Sequence, residues 1–181
     1  MATLNIATQV DRLSIIASLV RKQPAIGTTA LMKCVYLLQE VFEVPLGYDY
    51  TIYTYGPYSS QVTSDVDLSI IGNFISYKYE STGDYVKRTF NNGERIDDLD
   101  FTFADNYSSS IDQVINDFAN KTASELELIA TIIYVYIFYK RNGLDINKSS
   151  IANDVHGIKP HFSTNRVESE YTNLSSQKLL K

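Results

Sequence analysis

The stretch YTYGPYSSQV, residues 53–62, places three tyrosines, a Gly-Pro pair and two serines at the junction of two different patterns. The run YDYTIYTY (48–55) is dense in aromatic and β-branched residues and predicts a strand. Because Pro57 cannot donate to a strand ladder, we expect Gly56 and Pro57 to end that strand. The following run begins with serines, ends at Gly72 and predicts a helix. We interpret the stretch as a corner between a strand and a helix.

The sequence on either side of this corner predicts a familiar order of elements. Apolar residues at helical spacing predict two earlier helices, at about residues 8–22 and 30–42. After the corner helix, FISYKYE (74–80) and YVKRTF (85–90) alternate in polarity around a Gly-bearing turn and predict a β-hairpin. Helix, helix, strand, helix and hairpin is the order expected of a winged helix-turn-helix. We therefore predict a winged-helix-like region over residues 1–95.

The second half of the chain predicts mainly helices. Residues 91–105 form an acidic connector, and we expect a short strand at its end, where apolar residues alternate: Leu99, Phe101 and Phe103. A Thr-x-x-Glu capping box at Thr122 opens a long apolar helix at about residues 123–141, and Pro160 separates two shorter helices beyond it. The predicted fold is α+β and mostly α, with a helical region (96–181) packed on the winged-helix-like region as one compact unit.

Composition limits the class of protein. With 44% hydrophobic and 20% charged residues, the 181-residue chain has the composition of a globular protein. Its single cysteine excludes an internal disulfide and fits a reducing compartment. The N-terminal sequence lacks the basic and apolar regions of a secretory signal. The apolar run LIATIIYVYIFY (128–139) has 12 residues, whereas a spanning helix needs roughly 20. We expect a cytoplasmic protein without a membrane segment.

The sequence contains none of the common catalytic motifs. It has no nucleophile elbow, phosphate-binding loop, dinucleotide fingerprint or His-Glu-x-x-His motif. Cys34 lies one turn from Leu31 and Leu38 on the second helix, so we expect a buried thiol rather than a nucleophile. His156 and His161 lack the ligand spacing of a closed zinc site. We expect no catalytic residue, no metal and no cofactor.

The acidic run Asp97-Asp98-Leu99-Asp100 leaves one enzymatic alternative. Its carboxylate oxygens are of the kind that hold a divalent cation, but the run lacks the alternation and the closing glutamate of a calcium loop. A solvated acidic turn is the favoured interpretation. A metal-dependent enzyme built on the three aspartates stays as an alternative.

Nucleic-acid binding is a second alternative, because the predicted fold is one that often contacts DNA. The predicted recognition helix contains no Lys or Arg and carries Asp65 and Asp67, and residues 61–120 hold eleven acidic and four basic residues. An acidic surface binds a polyanion poorly. The side chains available for DNA contact would be those of the recognition helix and the wing: Gln61, Lys78, Lys87 and Arg88. Nucleic acid is therefore possible as a partner but not favoured.

Tyrosines are the strongest remaining signal. The chain has 14 of them and no tryptophan. They concentrate around the strand, the corner and the hairpin, at Tyr48, Tyr50, Tyr53, Tyr55, Tyr58, Tyr77, Tyr79 and Tyr85. A tyrosine combines apolar area with a polar tip, which suits protein interfaces, although strand tyrosines also serve simply to cover a half-buried sheet. Both interpretations stay open for the cluster.

The segments LMKCVYLLQE (31–40) and YDYTIYTYGPYSSQVTSDVD (48–67) resemble the Panacea (SocA-like antitoxin) domain and its YwgA-like relatives, over roughly residues 27–75. In that family a K-x-x-Y-L helix is followed by an aromatic strand, a Y-G-P corner and a helix with an early acidic residue. The matching positions are Lys33, Tyr36, Leu37, Tyr53, Tyr55, Gly56, Pro57, Tyr58, Ser59 and Asp65. The chain is also similar to small accessory subunits of prokaryotic antiviral systems of the Lamassu type.

The resemblance implies a non-enzymatic role in binding a partner protein, either a toxin or a larger subunit of a defence complex. The second half, including IKPHF (158–162), departs from the short antitoxin pattern, which favours a dedicated subunit of a complex. We expect the partner to be bound through the corner and its flanking helix: Tyr53, Tyr55, Gly56, Pro57, Tyr58, Ser59 and Asp65. The alternative is a winged-helix DNA-binding transcriptional regulator.

Overall fold

A computed structural model describes residues 6–82 and 85–181 of the chain. The fold is α+β and mostly helical, with 59% helix and 13% strand, which confirms the predicted class. The described residues form two compact units by their internal contacts. The first contains residues 6–51 and 58–121, and the second contains residues 52–57 and 122–181. The boundary expected between residues 95 and 96 therefore falls within the first unit.

The first unit has five α-helices among its described residues: α1 (Gln9–Lys22), α2 (Thr28–Glu40), α3 (Ser60–Ile71), α4 (Thr102–Asn106) and α5 (Ser108–Val114). A single 3₁₀ turn (Ile96–Asp98) precedes α4, and α5 continues into a π-helical segment (Ile115–Ala119). Thr8 and Asp11 cap α1 through a reciprocal capping box. The apolar faces of these helices meet in one core, whose fully buried members include Ile16, Leu19, Leu37, Leu38 and Val114.

A three-stranded antiparallel sheet completes the first unit. Its strands are β1 (Ile26–Gly27), β4 (Ile75–Thr82) and β5 (Tyr85–Asn92), in the order β1-β5-β4. The β4–β5 pair confirms the predicted hairpin, and the tip residues Gly83 and Asp84 lie outside the described residues. In this register Tyr77 lies opposite Phe90 and Tyr79 lies opposite Arg88. Strand β4 thus forms one edge of the sheet.

The strand expected over residues 48–55 was predicted too long. Only Thr51–Tyr53 (β2) is a strand, because Gln39 bonds the backbone of Tyr48 instead of a neighbouring strand. The Gln39 amide donates to the Tyr48 carbonyl at 2.9 Å and its oxygen accepts from the Tyr48 N–H at 2.8 Å. The stop expected at Gly56-Pro57 was also wrong. These residues open β3 (Gly56–Tyr58), since a two-stranded ladder has free edges that tolerate proline.

The short strand expected near Leu99 was wrong as well. The 3₁₀ turn and α4 occupy this segment instead. The carboxylate of Asp100 accepts from both the backbone N–H and the hydroxyl of Thr102, at 2.9 and 2.6 Å. An aspartate that binds the backbone two residues ahead favours a turn or a helix start over a strand.

The second unit is built from the three helices predicted in the second half: α6 (Ala123–Arg141), α7 (Lys148–Ile158) and α8 (Thr164–Ser176). The capping box of Thr122 and Glu125 opens α6 as expected. The helices bury one apolar cluster, which includes Leu126, Ile129, Ile133, Val155, Phe162, Val167 and Leu174. Within the ranges that the structure describes, no helix is long and apolar enough to cross a membrane.

Candidate functional site

The turn between β2 and β3 presents two tyrosines to solvent. This tyrosine turn (residues 53–56) leaves 66% of Tyr53 and 62% of Tyr55 exposed. Gly56 has φ 86°, in the left-handed region that glycine adopts without strain. A two-residue turn followed by such a glycine is a common hairpin connection. The sequence T-Y-G therefore fits the backbone needed to place Tyr55 at the tip.

A buried lysine holds the tyrosine turn from within the second unit. The Lys159 ammonium donates to the backbone carbonyl of Tyr53 at 2.8 Å and to that of Thr54. It also lies 2.9 Å from a carboxylate oxygen of Glu127, and both charged side chains are more than nine-tenths buried. The ammonium thus donates two hydrogen bonds and has one carboxylate as its charge partner, although the geometry of that third contact is not that of a hydrogen bond. Buried charges persist when they are paired and hydrogen-bonded in this way.

The two residues of this ion pair come from two different elements of the second unit, α6 and the end of α7. Glu127 lies in the second turn of α6, and Lys159 follows the last residue of α7, where its N–H still donates to the Val155 carbonyl at 2.8 Å. The other Glu127 oxygen lies 3.5 Å from His161, whose side chain is 55% exposed. Sequence reasoning missed this pair. Its one signal was Glu127 itself, a charged residue four positions before Thr131 on the buried face of an apolar helix.

The remaining corner residues are mostly covered. Gly56 and Pro57 are buried within β3. Tyr58 is half-buried and its hydroxyl accepts from the Thr63 hydroxyl at 3.0 Å. Ser59 is the N-terminal cap residue of α3, but its hydroxyl is buried and has no hydrogen-bond partner in the part of the chain that the structure describes. Of the predicted corner, the large side chains presented to solvent are therefore those of Tyr53 and Tyr55.

Asp65 is 2% exposed and is bound inside the first unit. Its carboxylate accepts from the Arg12 guanidinium and from the Tyr48 hydroxyl, each at 2.8 Å. Burial raises the pKa of Tyr48 well above its usual value, and the neighbouring Asp65 charge raises it further. Burial lowers the pKa of Arg12, but the bond and the charge of Asp65 raise it overall. The cluster fixes α1, α3 and the segment before β2 to one another.

The residues of α2 that carry the family resemblance also lie in the core. Lys33, Tyr36 and Leu37 are at most 2% exposed. The Tyr36 ring packs edge-on against Tyr50, with centroids 4.8 Å apart. Cys34 is fully buried, as expected, and burial raises the pKa of its thiol to about 12. A thiol in this setting stays protonated near neutral pH and is a poor nucleophile.

The residues named for DNA contact are engaged within the first unit. Lys78 lies 2.7 Å from Glu80, and the Gln61 oxygen accepts from the Asp49 N–H at 3.0 Å. The Arg88 guanidinium stacks 4.3 Å above the Tyr77 ring and faces Asp67 at 3.9 Å. Lys87 is exposed on β5. Glu80 lies opposite Lys87 in the β4–β5 ladder, so each of the three basic residues has an acidic neighbour.

The acidic run is likewise paired with nearby residues. Asp97 binds Arg21 at 2.6 Å and Asp98 binds Arg95 at 2.8 Å. The two hydrogen bonds from Thr102 lower the pKa of Asp100. In the described ranges, 6–82 and 85–181, no three His, Cys, Asp or Glu side chains are grouped to hold a metal ion.

Comparison with known proteins adds no assignment: no protein-family model and no curated protein matches this chain.

Proposed function

We propose that this chain is a non-catalytic, cytoplasmic interaction subunit of a prokaryotic or phage toxin-antitoxin or antiviral defence complex, and that it binds its partner protein through the tyrosine turn. The observation that carries the proposal is the exposure of Tyr53 and Tyr55, 66% and 62%, on a turn whose backbone is fixed by a buried lysine. Large aromatic side chains make good interface anchors, and a turn whose backbone is already held loses little further backbone freedom on binding.

Two further observations support an interaction role. The first unit places three helices (α1, α2 and α3) before the β4–β5 hairpin, where the element order of the chain is α1, β1, α2, β2, β3, α3, β4, β5, and a winged helix used as a protein-binding platform is the arrangement that we propose for it. The resemblance to the Panacea domain implies a protein partner. Because Lys78 and Arg88 face acidic neighbours in the same unit, this surface offers little to anchor phosphates, and we favour protein over DNA as its partner.

The experiment is affinity purification of the tagged chain from its native host, with nuclease treatment before elution and mass spectrometry of the eluate. We expect a stoichiometric protein partner that survives nuclease. Tyr55→Arg should reduce its recovery at least tenfold, because an arginine at the tip loses the aromatic contact and must be desolvated on binding. The thermal midpoint should stay within about 2 °C, since substitutions of exposed residues change stability little.

The matched control is Phe138→Arg, which makes the same kind of change at an aromatic residue of α6 that is 53% exposed. This variant should retain the partner. Equal recovery by wild type and a folded Tyr55→Arg variant would remove the turn from the interface. Recovery of nucleic acid alone, lost on nuclease treatment, would contradict the proposed function itself.

A further inference from the structure

Strand β4 presents a long edge to solvent. It runs for eight residues, and among the described residues only β5 pairs with it. Its middle is exposed, with Tyr77 at 46% and Tyr79 at 65%, and the side chains of Lys78 and Glu80 at 57% and 38%. An unpaired edge of this length is a template for another strand, and proteins usually shorten or cover it.

The charges on this edge complement a second copy of the same strand. Laid antiparallel with Tyr79 opposite Tyr79, two β4 strands place Lys78 of each opposite Glu80 of the other. Oppositely charged residues directly across a ladder attract, whereas like charges repel. A shift of the pairing by two residues in either direction leaves every side chain on the same face of the sheet. It places Lys78 opposite Lys78 in one direction and Glu80 opposite Glu80 in the other. Charge thus selects the register centred on Tyr79.

The other face of β4 fits the same arrangement. Tyr77 and Tyr79 contact each other edge-on with centroids 5.6 Å apart, and Arg88 stacks on Tyr77 at 4.3 Å. These contacts already restrict the aromatic side chains in the single chain. Pairing Tyr79 with Tyr79 of a second copy therefore costs little further conformational freedom. The ion pair between Lys78 and Glu80 within each chain is exposed, and such pairs contribute little, so exchanging the two internal pairs for two pairs between chains costs little.

We propose that the β4 edge is a homodimer interface, in which two copies of the chain pair their β4 strands antiparallel about Tyr79 and join two three-stranded sheets into one. The same patch of both copies meets at a two-fold axis. This inference is independent of the tyrosine turn and of the partner that the turn binds. Because a strand edge alone buries less area than a standard interface, the dimer forms in a concentration-dependent way.

Sedimentation velocity over a range of protein concentrations tests the proposal with charge variants at two exposed positions. We expect wild type to shift from monomer to dimer as concentration rises. Lys78→Glu and Glu80→Lys should each weaken self-association about tenfold, because each replaces two attractive cross-strand pairs by two repulsive ones. The double variant Lys78→Glu/Glu80→Lys should dimerise again, since the swapped charges are once more complementary.

A mixture of the two single variants gives the sharpest outcome. Lys78→Glu places two acids on one edge and Glu80→Lys places two bases on the other, so the mixture should form a heterodimer although neither variant dimerises well alone. Circular dichroism checks that each variant is folded. The proposal is overturned if wild type stays monomeric up to about 500 µM, a range that would reveal even a weak interface. It is equally overturned if Lys78→Glu and Glu80→Lys both dimerise as strongly as wild type, or if the mixture of the two variants stays monomeric.

Discussion

At the scale of single residues, Lys159 is the side chain on which most of the candidate site depends. Its ammonium joins the acid of α6 to two carbonyls of the tyrosine turn. A buried ion pair of this kind adds little stability over well-packed apolar residues, but removing one partner leaves an uncompensated buried charge. The pair therefore matters more for where the turn backbone lies than for how stable the fold is.

Lys159→Met tests this role directly. We expect a loss of about 3 kcal/mol or more in the free energy of unfolding, because Glu127 is left buried without its cation and two carbonyls lose their donor. The double variant Lys159→Met/Glu127→Met should recover part of this loss, since no charge is then stranded. Urea unfolding monitored by circular dichroism measures both. A Lys159→Met variant within about 0.5 kcal/mol of wild type would mean that the pair is not buried in solution.

At the scale of elements, two glycines of the second unit occupy different backbone conformations, one within a helix and one just after the end of a helix. Gly157 lies in α7 beside a groove of about 390 Å³ that Phe138 and Ile158 help to line. Gly143 follows α6 with φ 64°, a left-handed backbone that ends the helix. At both positions an added Cβ would meet no atom within 4 Å. The backbone conformation is therefore the main difference between them.

Alanine at these two positions should change stability in opposite directions. Gly157→Ala should raise the free energy of unfolding by about 0.5 kcal/mol or more, because alanine is the better helix former. Gly143→Ala should lower it by about 1 kcal/mol, because a side chain disfavours a positive φ. The two variants serve as each other's control in urea unfolding. If both changes had the same sign, the backbone assigned to one of the two glycines would be wrong.

At the scale of the whole molecule, net charge argues against nucleic acid. The chain carries 21 acidic and 16 basic residues, with a net charge of −5. Counterion release drives most non-specific binding to DNA and requires several basic groups facing phosphates. On the hairpin Lys78 and Lys87 both lie beside Glu80, and Arg88 faces Asp67.

The corresponding prediction concerns the isolated chain and a labelled DNA duplex of mixed sequence. Fluorescence anisotropy at 50 mM salt should show no binding below about 100 µM, because non-specific affinity depends on phosphate neutralisation. A known basic winged-helix protein measured beside it serves as the positive control. Binding that weakens steeply with salt and disappears in Lys87→Glu would instead support the regulator interpretation.

The sequence predicted elements whose signals are local and missed contacts between distant residues. Helices α1 and α6 and the β4–β5 hairpin follow from periodicity, capping residues and a turn, all within a few residues of one another. The bond from Arg12 to Asp65 spans 53 residues, and that from Lys159 to Tyr53 spans 106. No local pattern signals such pairs. For this reason Asp65 was expected at the partner surface, whereas its carboxylate is occupied inside the first unit, and Lys159 was overlooked.

The division of the chain into units also has a consequence for biosynthesis. Residues 52–57 belong to a unit whose other residues begin at 122, and their lysine anchor is residue 159. A ribosome adding about 5–20 residues per second delivers that anchor roughly 5–20 seconds after the turn has been translated. During this interval the nascent chain carries the turn without its anchor. Premature termination before residue 159 would release a chain that has both tyrosines but lacks the group that positions them.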